Sequence, residues 1–162
     1  MVEKTDSIAL KLSACKHAGI VCVDGRDGEE IITAKADGTL KAGLMVGVLT
    51  TIGATQGDID GLAIDGFETP MGILLPKYNV DCDTAVADGK SVEIVIPKQG
   101  RHYNVAIEDP SGAIAGGTFF IYGNTDGNLE KGDGNIEKIA VCRAARGIAN
   151  TSRYAEMIWG PN

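Results

Sequence analysis

Two histidines, four cysteines and a handful of acidic loops are the residues here whose types could do chemistry. His102 falls in a stretch where His102, Asn104 and Ala106 alternate with Tyr103, Val105 and Ile107. A histidine works as a general base only with a nucleophile or an orienting carboxylate at hand. No Ser, Cys or carboxylate pair stands at a spacing that ties it to His102 or to His17. His102 is therefore read as a solvated or hydrogen-bonding residue on the polar face of a strand. Cys15, Cys22, Cys82 and Cys142 contain no CxxC pair of the kind that binds zinc or exchanges disulfides. They read as small buried hydrophobes, with a Cys15–Cys22 disulfide as the alternative.

The acidic loops are the remaining candidates, as cation sites. The loop Asp24–Gly28 lacks the alternating ligands and the closing Glu of a calcium loop. Asp58, Asp60 and Asp65 lie in an acidic connection over residues 51–66, where Asp-Gly turns account for them as well as a hard cation would. Residues 124–135 imitate an EF-hand through Asn124, Asp126 and Asn128. Leu129, however, stands where that loop needs glycine, and Asn135 where it needs a bidentate Glu. No catalytic residue, metal ligand or cofactor site is expected, and the chain is read as not an enzyme.

The elements between these loops are short and extended. Asp-Gly pairs at 37–38, 60–61, 65–66 and 88–89 tolerate positive φ and reverse a chain tightly. Between them run apolar stretches of period two. The clearest is 90–96, where Val92, Ile94 and Ile96 alternate with Ser91, Glu93 and Val95. Further strands are expected at 30–34, 42–50, 71–75, 101–107, 118–122 and 152–159. Pro70 should put its strand at an edge or start it later. Residues 136–149 suit either a helical face or alternation, and a strand over 137–144 is preferred. Trp159 shares a face with Ala155 and Met157 and is expected in the core. The fold class that follows is mainly β: a compact β-barrel or β-sandwich of short antiparallel strands with little helix. Residues 1–19 read as an N-terminal arm or first strand, Ile8, Leu10 and Leu12 alternating, and residues 20–162 as a single β domain.

The totals exclude several roles. With 162 residues, 22 glycines and a single Trp, the chain suits one turn-rich β domain that needs no disulfide or metal to fold. The net charge of −7 disfavours direct nucleic-acid binding, which depends on Lys and Arg neutralising phosphate. No apolar run approaches the roughly 20 residues of a membrane span. Lys4, Lys11 and Lys16 interrupt the first apolar residues, so no signal peptide is read there and synthesis in a reducing cytoplasm is expected. A sugar-binding β-sandwich is disfavoured by the scarcity of aromatic residues for stacking.

One motif recurs loosely: a small residue, a turn glycine, then an extended apolar strand. It appears at Lys41–Val46, Val86–Val95 and Ile114–Phe119, with Thr69–Leu74 between the first two and Ala140–Gly147 before the last strand. The succession over residues 38–159 resembles the capsid decoration (head-stabilising, cement) proteins of tailed bacterial and archaeal viruses. That resemblance implies a small β protein on the outside of an icosahedral capsid, bound to the major capsid protein and often a homotrimer. Its work would be to bridge capsid subunits against internal DNA pressure. No cofactor, membrane or direct nucleic-acid partner is implied. The alternative is another virion component: a spike, a fibre base or a tail-tube protein. The expected partner contact is the arm, Thr5, Asp6, Ser7, Ile8, Ala9, Leu10, Lys11 and Leu12, because it alternates and lies outside the repeated motif.

Overall fold

A computed structural model describes residues 30–49, 58–61, 68–75, 85–123, 127–132 and 140–160. The arm, its Thr5–Leu12 contact residues, the Asp24–Gly28 loop, Asp65, His17 and three of the cysteines lie outside them. The described residues contain ten strands and no helix. They are β1 (Glu30–Ala36), β2 (Met45–Leu49), β3 (Asp58–Gly61), β4 (Glu68–Leu74), β5 (Ser91–Ile96), β6 (His102–Ala106), β7 (Phe119–Tyr122), β8 (Leu129–Lys131), β9 (Cys142–Ala144) and β10 (Tyr154–Trp159). The mainly β reading holds, and the described end of 137–144 is strand β9.

The first five strands close on themselves in the order β1-β3-β2-β4-β5, with β5 returning to β1. All of these pairings are antiparallel except the joint of β1 with β3, which is parallel at Lys35–Asp58 and Ala36–Ile59. The last five form a second sheet in the order β6-β10-β9-β7-β8. The two halves repeat one another strand for strand. In each, the first strand pairs with the last, the last with the fourth, the fourth with the second and the second with the third.

The hydrogen bonds between strands repeat as well. Asp37 N donates to Ile59 O at 2.7 Å, and Glu108 N donates to Leu129 O at 2.9 Å. Leu40 and Val86 exchange a reciprocal pair of bonds, as Ile114 and Ile148 do. Gly43 N reaches Leu74 O at 2.9 Å, and Gly117 N reaches Ala144 O at 2.8 Å. Three of those bridge residues, Leu40, Val86 and Ile114, open the recurring turns, whose glycines Gly43, Gly89 and Gly117 sit at φ of 87°, 71° and 82°. The loose motif of the sequence is thus the punctuation of a tandem repeat, and the halves are called module one (β1–β5) and module two (β6–β10) below.

Alternation sorts the side chains. In module one Val46, Ile59, Leu74, Val92 and Ile94 fill the ring with Ala36, Leu40 and Val86. Their neighbours Met45, Ile73, Leu75 and Val95 point the other way and are buried as well, in a larger cluster with Tyr103, Val105, Phe120, Leu129 and Met157 of module two. Strand β5 is therefore apolar on both faces at Ile94 and Val95, 0 % and 3 % exposed. The alternation of 90–96 alone shows only one of those faces.

Four expectations need correction. Residues 58–61 are a strand rather than an acidic connection, so Asp60-Gly61 is not a turn. Residues 129–131 are strand β8 inside what reads as a loop. Pro70 lies within β4, a central strand flanked by β2 and β5; it is tolerated because it faces Gly47 where the register shifts at a bulge. Trp159 packs edge-on against Tyr103, ring centroids 6.2 Å apart, but is half-buried at the rim of the cluster rather than inside it.

Candidate functional site

The joint between the modules adds main-chain hydrogen bonds to the shared apolar cluster. Ala106 N donates to Gly43 O at 2.8 Å, and Met45 N donates to Gly127 O at 2.8 Å. A Cβ on Gly43 would lie 2.9 Å from the Tyr154 ring, and one on Gly127 2.3 Å from Met45 O, so both glycines are required by close approach. Beside this joint opens a cleft of about 680 Å³ whose lining includes Lys41, Glu108, Asp109, Asn128, Arg153 and Tyr154. The Arg153 guanidinium grips Asp109 through both nitrogens, at 2.5 and 3.0 Å. Its planar fork is thus committed within the chain, and the lining mixes both signs of charge. That leaves no anion or cation cradle.

His102 lies on the outer face of the second sheet, as its alternation requires. Its Nδ1 donates to Glu156 Oε1 at 2.8 Å, while Arg146 pairs with the other carboxylate oxygen. The Glu156 side chain is only 13 % exposed, so one shielded carboxylate ties together the His102 imidazole and the Arg146 guanidinium. Such a carboxylate orients both of its neighbours. Their separation in sequence, 54 residues from His102 to Glu156, hides the contact from spacing arguments.

On the inner face, Cys142 is a free thiol under the sheet, and burial pushes its pKa far up, leaving it a poor nucleophile. Tyr122 nearby is raised by burial first and by Cys142 second. Leu129, the residue that breaks the EF-hand pattern, is fully buried in β8. Among the described residues no three His, Cys, Asp or Glu converge as a metal site.

What the outer face does offer is a row of side chains across four strands. Register sets Phe119 opposite Arg143, Arg143 opposite Ile158, and Ile158 opposite His102. All four are half-buried, with apolar and basic character alternating. The row's counterpart in module one is Met45, Ile73, Val95 and Ile31, joined by the same registers. That counterpart is packed into the cluster shared with module two.

No protein-family model matches the chain, and no curated protein does. Among solved structures, it is similar to the N base of the head fiber protein gp8.5 of bacteriophage phi29. The TM-score is 0.54 at 14% identity, over 83% of this chain and 97% of that one. At that identity the likeness is one of fold.

Proposed function

We propose that this chain is a structural protein of a tailed virus, seated on the outer surface of the head. The observation that carries the reading is the fold likeness, which extends over 97% of a head-fibre base. Two further features support it. The recurring turn-glycine motif that resembles capsid decoration proteins is the motif that punctuates both modules. The net charge of −7 suits an exterior coat that does not touch packaged DNA.

Within that reading the protein binds the major capsid protein and bridges neighbouring subunits, many weak contacts acting together. The arm, Thr5–Leu12, remains the proposed capsid contact, adding a strand to a neighbouring edge. A trimer is the proposed state on the shell. The fibre likeness favours a second reading, in which the chain is the base of a longer appendage. Copy number separates the two, since decoration needs hundreds of copies per head and an appendage far fewer.

The test uses expanded, DNA-free heads assembled from the major capsid protein of the virus that this reading implies. Co-sedimentation should saturate, and bound heads should withstand more heat before releasing subunits. Absence of binding to expanded heads would sink the virion reading. A second arm deletes residues 1–12; full occupancy by the truncated chain would reject the arm as the contact.

A further inference from the structure

The two modules present the same face, yet among the described residues only one of those faces is packed against the other module. In module one the row Ile31–Val95–Ile73–Met45 faces module two, with Met45, Ile73 and Val95 at 2 %, 0 % and 3 % exposure. The turn that leads into it inserts Gly43 against Tyr154 and Ala106 of module two. In module two the equivalent row is His102–Ile158–Arg143–Phe119, half-buried along its length. The equivalent turn holds Gly117, which keeps the same positive φ but has no atom within 4 Å of where its Cβ would stand.

We infer that this second face is a docking surface for module one of another copy of this chain, repeating between molecules the joint made within one. The acceptor follows from the repeat. Tyr154 and Ala106, register partners that receive Gly43, correspond to Ser91 and Lys35, which are register partners in module one and are both exposed. Asp37 and Asp88 are exposed at the same end of module one, where Gly89 N bonds Ala36 O and Asp88 accepts from Gly38 N. The arriving face carries Arg143, opposite in charge to Asp37 and Asp88. The contact is head-to-tail: one copy's second module meets the next copy's first. An interface of this kind grows until a ring closes or a filament forms. This inference stands independently of the virion reading, since it comes from the repeat alone.

The experiment is light scattering on size-exclusion fractions over a range of concentrations. The full chain should show a mass that rises with concentration beyond one copy. Arg143→Glu combined with Ile158→Lys should remove the donor face, and Lys35→Glu combined with Ser91→Trp the acceptor, each giving a monomer whose melting temperature is close to that of the parent. Mixing the two variants should restore a 1:1 dimer and nothing larger, because each retains the face the other lacks. A full chain that stays monomeric at every concentration overturns the inference, as does a mixture that forms no dimer. Association that appears only after deletion of residues 1–29 also overturns it, since that segment would then be the occupant of the face.

Discussion

Module one fills its ring with Ala36, Leu40, Val46, Ile59, Leu74, Val86, Val92 and Ile94; at the equivalent positions module two has Ile107, Ile114, Phe120, Leu129, Ala144, Ile148, Ala155 and Met157. The hydrogen-bond frame is the same, but volume has been exchanged within it. Phe120 stands where module one has Val46, and Ala144 and Ala155 stand where it has Leu74 and Val92. A core tolerates such swaps when the total is kept. The closures differ too. Module one joins β1 to β3 over two residue pairs, whereas module two meets only at the parallel bridge Ile107–Leu129. Module two also takes Met45, Ile73 and Val95 from its neighbour into its own cluster. Module one is thus the self-sufficient half, and module two leans on it.

That contrast can be broken at several points. Phe120→Ala should cost about 3–5 kcal/mol in chemical denaturation, clearly more than the about 2 kcal/mol expected for Val46→Ala at the matching site. Installing module one's pair in module two, Phe120→Val with Ala144→Leu, should recover part of the loss seen with Phe120→Val alone. No recovery would mean the exchange of volume is coincidental. Gly117→Ala should cost about 1–2 kcal/mol, the ordinary price of a left-handed residue with a side chain. Gly43→Ala should exceed it, because its methyl also meets Tyr154; equal costs would show that the joint yields freely.

Cys142 should resist alkylation in the folded chain and react only on unfolding, as its buried and upward-shifted thiol requires; rapid native labelling at Cys142, read by peptide mass, would place it outside the core. The smallest effect is expected at the cleft. Arg153→Ala should change stability by less than about 1 kcal/mol, since both partners of its ion pair are more than half exposed.

The strands that alternate cleanly are legible in the sequence: 90–96, 101–107 and 154–159 lie where their period of two puts them. Strands β3 and β8 are not, because Asp58–Gly61 and Leu129–Lys131 are four and three residues long and mostly acidic, basic or glycine. Each contributes one fully buried apolar residue, Ile59 and Leu129, and a single apolar residue has no period. The turn glycines hint at a repeat, but the equivalence of the halves resides in pairings that no local window contains. The outer-face row is invisible for the same reason. His102 can be assigned to a polar face, while its meeting with Glu156 and Arg146 depends on how β6 and β10 are brought together.

In both modules the first strand waits for the last, and this sets a schedule for the newborn chain. β1 cannot find its antiparallel partner until residue 96 has been made, and β6 waits until residue 159. Such distant pairings are slow to form, because a long loop must close before any contact rewards it. Module one can nevertheless finish while module two is still being synthesised, at about 5–20 residues per second. For those few seconds Met45, Ile73 and Val95 form an apolar surface open to water and to neighbouring chains. On a polysome making many copies, the partner most readily at hand would be another nascent first module. The interval before residue 159 emerges is therefore when this protein is most exposed to faulty association.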